Sequence, residues 1–269
     1  MSGAHAQTVF DGVAAPALLG PADPPPFSVA SGDGRGRTLF VCDHASNRVP
    51  EALGALGLAE DRLQEHIAWD IGAAAVADLI SDRFEAPLVK SGYSRLVIDC
   101  NRHPSDATSI VGVSDGVPIP GNRNLDPLAA AARADGIMTP YHAEIERLLD
   151  RERDPPFHAF VSIHSFTPVF EGRARPWHVG ALWNRDGRIA LPFMAALAAR
   201  GDVSVGDNQP YSARNNFGYT VHRHGELRGL PHLLVEIRQD LIADAAGAVR
   251  WSGIVGDALQ AAFERLPPP

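Results

Sequence analysis

Cysteine, basic blocks and long apolar runs are all scarce in this 269-residue chain, and each shortage excludes a class of protein. The two cysteines, Cys42 and Cys100, form no C-x-x-C pair, so no disulfide framework is expected. Lys and Arg number 24 against 32 Asp and Glu, and the net charge of −8 argues against a protein that tracks nucleic-acid phosphates. No apolar run approaches the roughly 20 residues that span a bilayer, and the N-terminal residues lack the pattern of a signal peptide. We therefore expect a cytoplasmic protein that binds neither membrane nor nucleic acid.

Several catalytic signatures are missing as well. The chain has no G-x-G-x-x-G after a predicted strand, no P-loop and no G-x-S-x-G elbow. Its composition is that of an ordinary globular protein, with 45% hydrophobic and 21% charged residues. Residues 1–36 are rich in Pro, Gly and Ala and are expected to form an irregular arm. No linker interrupts residues 37–266, which predicts a single domain.

Apolar runs alternate with helical spacing along residues 37–266. The predicted strands are 37–42, 96–100, 159–163, 178–183 and 232–237. The predicted helices are 60–83, 125–152, 190–200 and a last one that ends at 266. This alternation predicts a three-layer α/β fold, with a mixed, largely parallel sheet and helices on both faces. In such sheets ligands bind beyond the carboxyl ends of the strands.

Four of the predicted strands end in polar residues. The endings read D-H-A-S-N at 43–47, D-C-N-R at 99–102, H-S at 164–165 and E-I-R-Q-D at 236–240. One polar ending is routine, because strand ends are commonly solvated. Four endings that supply two His, a Glu and several Arg and Asn indicate a shared site.

Two histidines from separate strands, His44 and His164, are the first candidate metal ligands. A single histidine at a strand end is more often structural, but a pair favours zinc, which binds imidazole and carboxylate. The third ligand stays open. Asp70 borders the apolar stripe of the predicted helix 60–83, where a carboxylate is costly unless it is paired or metal-bound. Asn47 has suitable spacing but a neutral amide, and Asp43 is either a ligand or a residue that orients an imidazole.

Glu236 stands in an otherwise apolar strand, where a carboxylate must face a polar cavity or a cation. Beside zinc it could take a proton from water and return it to a leaving amine. The structural alternative is an ion pair with Arg238, which lies on the same face of the strand. The candidate donors for a substrate carboxylate are Arg95, Asn101, Arg102 and Arg238. Ion pairing with the many acidic residues is the alternative for each arginine.

Several motifs together resemble the N-formylglutamate amidohydrolase family, in the same order from about residue 28 to 266. They are D-H-A-S-N-R-V-P at 43–50, H-I-A-W-D-I-G-A at 66–73, S-R-L-V-I-D-C-N-R at 94–102, I-H-S-F-T-P at 163–168, R-P-W-H-V-G at 175–180, G-D-N-Q-P-Y-S at 206–212 and E-I-R-Q-D-L at 236–241. More distantly, I-H-S, D-C-N-R and E-I-R resemble motifs of the zinc carboxypeptidases.

The resemblance implies a zinc-peptidase-like fold and a bacterial, zinc-dependent amidohydrolase of histidine degradation. Its substrate would be a small N-acyl amino acid such as N-formylglutamate. It implies zinc at His44 and His164, Glu236 as general base, and Asn101 and Arg102 on the substrate carboxylate. Carboxypeptidases use His-x-x-Glu for their first two ligands. Asn47 occupies that second position here, so we expect Asp70 as the third ligand.

Two other functions remain open at this stage. One is a carboxypeptidase-like or other N-acyl amino-acid hydrolase. The other is a non-catalytic protein of the same fold that binds an anion and no metal. In the expected reaction, zinc and an arginine would hold the oxyanion of the tetrahedral intermediate.

Overall fold

The structure is a computed structural model that describes residues 9–10, 13–30, 35–215 and 218–267. Its strands are β1 (Val9–Phe10), β2 (Val13–Ala14), β3 (Phe27–Ala30), β4 (Thr38–Cys42), β5 (Leu88–Ser91), β6 (Val113–Ser114), β7 (Val117–Pro118), β8 (Ala159–Phe166), β9 (Val169–Phe170), β10 (Arg173–Ala174), β11 (Val179–Leu182), β12 (Val205–Asp207) and β13 (His232–Arg238). Its α-helices are α1 (Ala73–Arg83), α2 (Pro127–Arg133), α3 (Thr139–Asp150), α4 (Ala190–Ala199), α5 (Tyr219–His224) and α6 (Ala245–Phe263). A π-helical segment, Ala134–Met138, joins α2 to α3.

The main sheet has the strand order β12-β11-β13-β8-β4-β5-β3. Strands β13, β8, β4 and β5 run parallel to one another, while β11 and β3 run antiparallel to their neighbours β13 and β5. Every residue of β4 and β8 is buried, as expected for parallel strands covered on both faces. The predicted mixed, largely parallel sheet is confirmed.

Helices cover both faces of this sheet. Phe40 and Val161 belong to a core cluster that includes residues of α1, α4 and α6. Leu39 and Phe160 point to the opposite face, because side chains alternate along a strand, and belong to a second cluster with residues of α2 and α3. The three-layer arrangement is therefore confirmed. None of the helices in the described part of the chain is long and apolar enough to cross a membrane.

Two predicted elements were wrong. The predicted helix 60–83 is helical in α form only over Ala73–Arg83, preceded by a 3-10 turn at Glu60–Gln64. Gly72 interrupts it with a φ of 79°, and a Cβ there would overlap the carbonyl oxygen of Ile242. The predicted strand 96–100 is a series of turns, and β5 occupies the place beside β4 instead. The apolar side chains at 96–98 are buried although their backbone forms no strand. Their hydrophobicity therefore reflects burial and led to a wrong prediction of a strand.

The N-terminal arm also differs from the expectation. Strand β3 lies within the segment predicted to be irregular, yet it forms the edge of the main sheet by pairing antiparallel with β5. Residues 1–8, 11–12 and 31–34 of the predicted arm lie outside the described residues. The other predicted strands and helices are confirmed to within a few residues. The single domain expected for residues 37–266 stays a prediction.

Candidate active site

The register of the sheet brings polar residues from three strands to one edge. Glu236 of β13 pairs with His164 of β8 on one side and with Gly180 of β11 on the other. The neighbouring parallel strand β4 ends at Cys42, so Asp43 and His44 leave the sheet at the same edge. The carboxyl ends of parallel strands meet there, which is where the sequence placed the site.

Three buried side chains converge on one point beyond this edge. His44, Asp70 and His164 each offer a ligand atom, and these atoms all lie within 4.8 Å of one another. Asp70 Oδ2 lies 2.7 Å from His164 Nδ1 and 3.3 Å from His44 Nδ1. Asp70 precedes α1 in a turn instead of lying on a helix, and its backbone N–H donates to the His44 carbonyl. Two imidazoles and one carboxylate are a donor set that suits a divalent metal with an open position.

Each of the two imidazoles is oriented by its own carboxylate. His44 Nε2 donates to Asp99 Oδ1 at 2.7 Å, and His164 Nε2 donates to Asp43 Oδ2 at 2.9 Å. A ring that carries its only proton on Nε2 has its Nδ1 lone pair directed at the convergence point. Metal-binding histidines almost always carry such a partner on the second nitrogen. The residues present therefore fit a metal ion.

The two orienting carboxylates are themselves fixed by further hydrogen bonds. Asp43 accepts from the hydroxyls of Tyr141, Ser162 and Thr220, at 2.9, 2.8 and 2.6 Å. Asp99 accepts from Nη2 of Arg95 at 2.9 Å and from the backbone N–H of Asn101 at 2.8 Å. All these contacts lie at buried or partly buried positions, so the imidazole rings are held by a shell that is already ordered.

Burial and charge act in opposite directions on these groups. Burial by itself would raise the pKa of Asp43, Asp70 and Asp99. The two imidazoles outweigh burial at Asp43 and Asp70, and the charges of His44 and Arg95 outweigh it at Asp99, so each carboxyl pKa lies below its usual range. Burial would likewise lower the histidine pKa values. For His164 the hydrogen bonds of Asp43 and Asp70 outweigh burial, and its pKa lies well above the usual value. The His44 pKa is also raised, because Asp99 and Asp70 outweigh burial and the Arg95 charge. A metal ion would displace protons from these rings on binding.

Glu236 is buried in the wall of the same cavity as the three converging side chains. Its Oε2 has no hydrogen-bond partner among the described residues. Burial, followed by the charge of Asp70, raises the pKa of Glu236 to about 7, against the opposing influence of the imidazoles and Arg95. A carboxylate with an unsatisfied oxygen and a pKa near neutrality is suited to accept and return a proton.

The structure separates the predicted donors for a substrate carboxylate. Arg95, Asn101 and Arg102 line the cavity, whose volume is about 400 Å³. Arg95 is engaged with Asp99 at 2.9 Å and Asp70 at 3.4 Å. Arg238 is not among the cavity residues, because it is the last residue of β13 and its guanidinium pairs with Asp240 in the following turn. Asn47 also lies elsewhere and donates to the Leu63 carbonyl.

Sequence reasoning gave no role to Asp99 or Tyr211, although both stood within the quoted motifs. The requirement that each ligating imidazole needs an acceptor on its second nitrogen could have singled out Asp99. Tyr211 lines the cavity from the loop 206–212. His66 and Asp115 also line it and approach each other to 3.2 Å, with Asp115 in the turn between β6 and β7.

Comparison with known proteins gives consistent results. The family model for N-formylglutamate amidohydrolase matches residues 36–243. The crystal structure of gene product Atu2144 from Agrobacterium tumefaciens is 35% identical, covers 92% of this chain and 98% of its own, and superposes with a TM-score of 0.88. The N-formylglutamate amidohydrolase from Ralstonia eutropha JMP134 is 19% identical over 90% of this chain and 98% of its own, with a TM-score of 0.63, and shares the fold. No curated protein matches this chain in sequence.

Proposed function

This chain belongs to the N-formylglutamate amidohydrolase family, and from that premise we propose that it is a zinc-dependent hydrolase of N-acyl amino acids, with N-formylglutamate as the favoured substrate. One observation carries the proposal. Two imidazoles and one carboxylate converge beside Glu236, and each imidazole is oriented by a separate buried carboxylate. A non-catalytic pocket for an anion would not need two carboxylate-oriented imidazoles beside a third and a fourth carboxylate.

His44, Asp70 and His164 would hold the metal, and the His₂–carboxylate donor set favours zinc. When bound, the ion supplies a Lewis acid that polarises an acyl carbonyl and acidifies water. Asp99 and Asp43 keep the ligating nitrogens directed at the site, and Arg95 fixes Asp99 and Asp70. We assign Arg95 this bracing role in place of the substrate contact expected from the sequence.

Glu236 is the proposed general base and then general acid. Its buried carboxylate takes a proton from the attacking water, and the same proton passes to the nitrogen as the amide C–N bond breaks. Asn101 and Arg102, at the wall of the cavity, are the proposed contacts for the carboxylate of the amino acid. For N-formylglutamate the products are formate and glutamate. That the enzyme acts in the bacterial cytoplasm, in histidine degradation, stays a prediction from the family resemblance.

The proposal is tested with purified protein that has been stripped by chelator and reloaded with zinc. N-formylglutamate, N-acetylglutamate, N-formylaspartate and N-formylleucine are compared by their kcat/KM values, with acid and amine release both measured. We expect hydrolysis that requires the metal and is fastest for N-formylglutamate. A zinc-loaded protein that hydrolyses none of the four would contradict the proposed function, and a preference for another acyl group or side chain would change the substrate.

A further inference from the structure

The loop 206–212 places a tyrosine in the cavity that the proposed reaction has not used. Asn208 fixes this loop, because its backbone N–H donates to the Ala181 carbonyl and its Oδ1 accepts from the backbone N–H groups of Trp183 and Ala213. Gly180 permits the close approach, since a Cβ at that position would overlap the carbonyl oxygen of Gln209. The loop thus brings Tyr211 to the cavity wall that also contains Glu236 and Arg95.

A buried arginine supports the Tyr211 hydroxyl. Arg175 Nη1 donates to Tyr211 Oη at 3.2 Å, and the guanidinium lies 4.9 Å from the centre of the Tyr211 ring. The guanidinium also packs 4.7 Å from the ring centre of Phe170, so it is held among aromatic faces. Within the described residues, Arg175 forms no ion pair with a carboxylate. Its Nη1 also donates to the Thr167 carbonyl at 3.4 Å, which helps to hold the guanidinium beside the phenol.

The contact between Arg175 and Tyr211 determines which group donates in each hydrogen bond of the phenol. A phenol oxygen that accepts from a guanidinium has its own O–H as a donor, and acceptance from a cation strengthens that donor. Burial, followed by the charge of Glu236, raises the pKa of Tyr211, so the phenol keeps its proton near neutral pH. Arg95, which also lines the cavity, is already engaged with Asp70 and Asp99.

We propose that Tyr211 is a catalytic residue whose hydroxyl donates a hydrogen bond to the oxygen that becomes negative during amide hydrolysis, and that Arg175 is its positioning residue. The inference rests on the proposed function. As the water oxygen bonds to the acyl carbon, the carbonyl π electrons move to the oxygen and a water proton passes to Glu236. When the C–N bond breaks, its electron pair leaves with nitrogen, which takes the proton from Glu236, and the carbonyl re-forms. Tyr211 keeps its own proton throughout.

The test compares Tyr211→Phe with Tyr219→Phe in the zinc-loaded enzyme. Tyr219 is a matched control, because its hydroxyl also accepts from an arginine, Arg223 Nη1 at 3.0 Å, but it does not line the cavity. We expect Tyr211→Phe to lower kcat about 100-fold, in the range found for loss of one oxyanion donor, and to change KM by less than about threefold. Tyr219→Phe should stay within about twofold of the wild type in both.

Two measurements separate this role from a structural one. By calorimetry, Tyr211→Phe should weaken binding of a phosphonamidate analogue, with tetrahedral phosphorus in place of the acyl carbon, by about the same factor as kcat. Zinc content and affinity for the product amino acid should be unchanged. Arg175→Met should lower kcat about tenfold in the wild type and add little to Tyr211→Phe, because the arginine acts through the phenol.

An unchanged kcat in Tyr211→Phe overturns the proposal, and so does a higher KM at unchanged kcat, which would make Tyr211 a ground-state contact. If Tyr211→Phe fails to fold, Arg175→Met decides by the same comparison of kcat with analogue affinity. A wild-type enzyme that hydrolyses no N-acyl amino acid contradicts the proposed function itself, which is a different result from an active wild type whose Tyr211→Phe variant is equally active.

Discussion

Replacing Asp99 by Asn should weaken metal binding, although Asp99 is not itself a ligand. Asp99 accepts three hydrogen bonds, from His44 Nε2 at 2.7 Å, Arg95 Nη2 at 2.9 Å and the Asn101 backbone N–H at 2.8 Å. Asparagine keeps an oxygen for His44 but turns an N–H₂ group toward the Arg95 donor. It also removes the negative charge that makes the His44 imidazole a stronger ligand. Loss of such a partner lowers metal affinity about 10- to 100-fold, which corresponds to about 1.4–2.7 kcal/mol.

The assay is a competition between the protein and a chelator of known zinc affinity, at about pH 8, where proton competition for the imidazoles is weaker than at neutral pH. Asp240→Asn is the matched control, because Asp240 pairs with Arg238 outside the cavity. We expect Asp240→Asn to bind zinc like the wild type. Asp99→Asn should also lower the free energy of unfolding of the metal-free protein by about 1–3 kcal/mol, since a buried charge-assisted network loses one member. An Asp99→Asn variant with wild-type zinc affinity would refute the assigned role of Asp99 behind His44.

Three further predictions follow from the site and its support. Glu236→Gln should keep wild-type zinc content and thermal stability but lose about 10²–10⁴-fold in kcat, and activity close to that of the wild type would remove Glu236 as the general base. His224 is buried and stacked on His142, and burial, with the His142 charge, lowers the pKa of His224 from 6.5 to about 2. A lowered histidine pKa stabilises the fold above pH 6.5, and this stability is lost as the pH falls, by about 2 kcal/mol between about pH 6.5 and about pH 4.5. Urea unfolding of His224→Phe should therefore depend less on pH in this window than that of the wild type, and equal slopes would contradict a lowered His224 pKa. Gly180→Ala should displace the Gln209 carbonyl, lowering both the melting temperature and kcat, whereas Gly112→Ala, with open space around its Cβ, should change neither. Equal melting temperatures for the two variants would show that the loop tolerates the added methyl group.

The convergence of the candidate ligands could be predicted from the sequence because parallel strands end at a common edge. His44 follows β4 and His164 lies near the carboxyl end of β8, while Glu236 was conspicuous as a carboxylate in an apolar strand. Asp70, expected as the carboxylate that joins them, does lie with the two histidines, but the assumption that placed it on a helix was wrong. Gly72, with its positive φ, directly precedes α1. The helix therefore begins after Asp70, which lies in the preceding turn.

Other parts of the site depend on contacts between residues distant in the chain. The roles of Asp99 and Arg95 follow from a turn at 95–100 that hydrophobicity alone presented as a strand. Thr220 and Tyr141 reach Asp43 across 177 and 98 residues, and no local pattern signals such hydrogen bonds. Arg238 and Glu236 share a strand face by alternation, yet the end of the strand lets Arg238 pair with Asp240. Local periodicity therefore predicted the three layers of the fold. Contacts between residues distant in the chain determined which charged side chains lie together in the site.

The proposed metal site is tested most directly by a zinc titration of the chelator-stripped protein, followed by the rate of hydrolysis of its best N-acyl amino-acid substrate. We predict that the rate rises linearly with added zinc and levels off at about one equivalent per chain, and that His164→Ala abolishes the rise. A stripped protein that hydrolyses the substrate at full rate, or a zinc-dependent rate that persists in His164→Ala, would contradict the metal site formed by His44, Asp70 and His164.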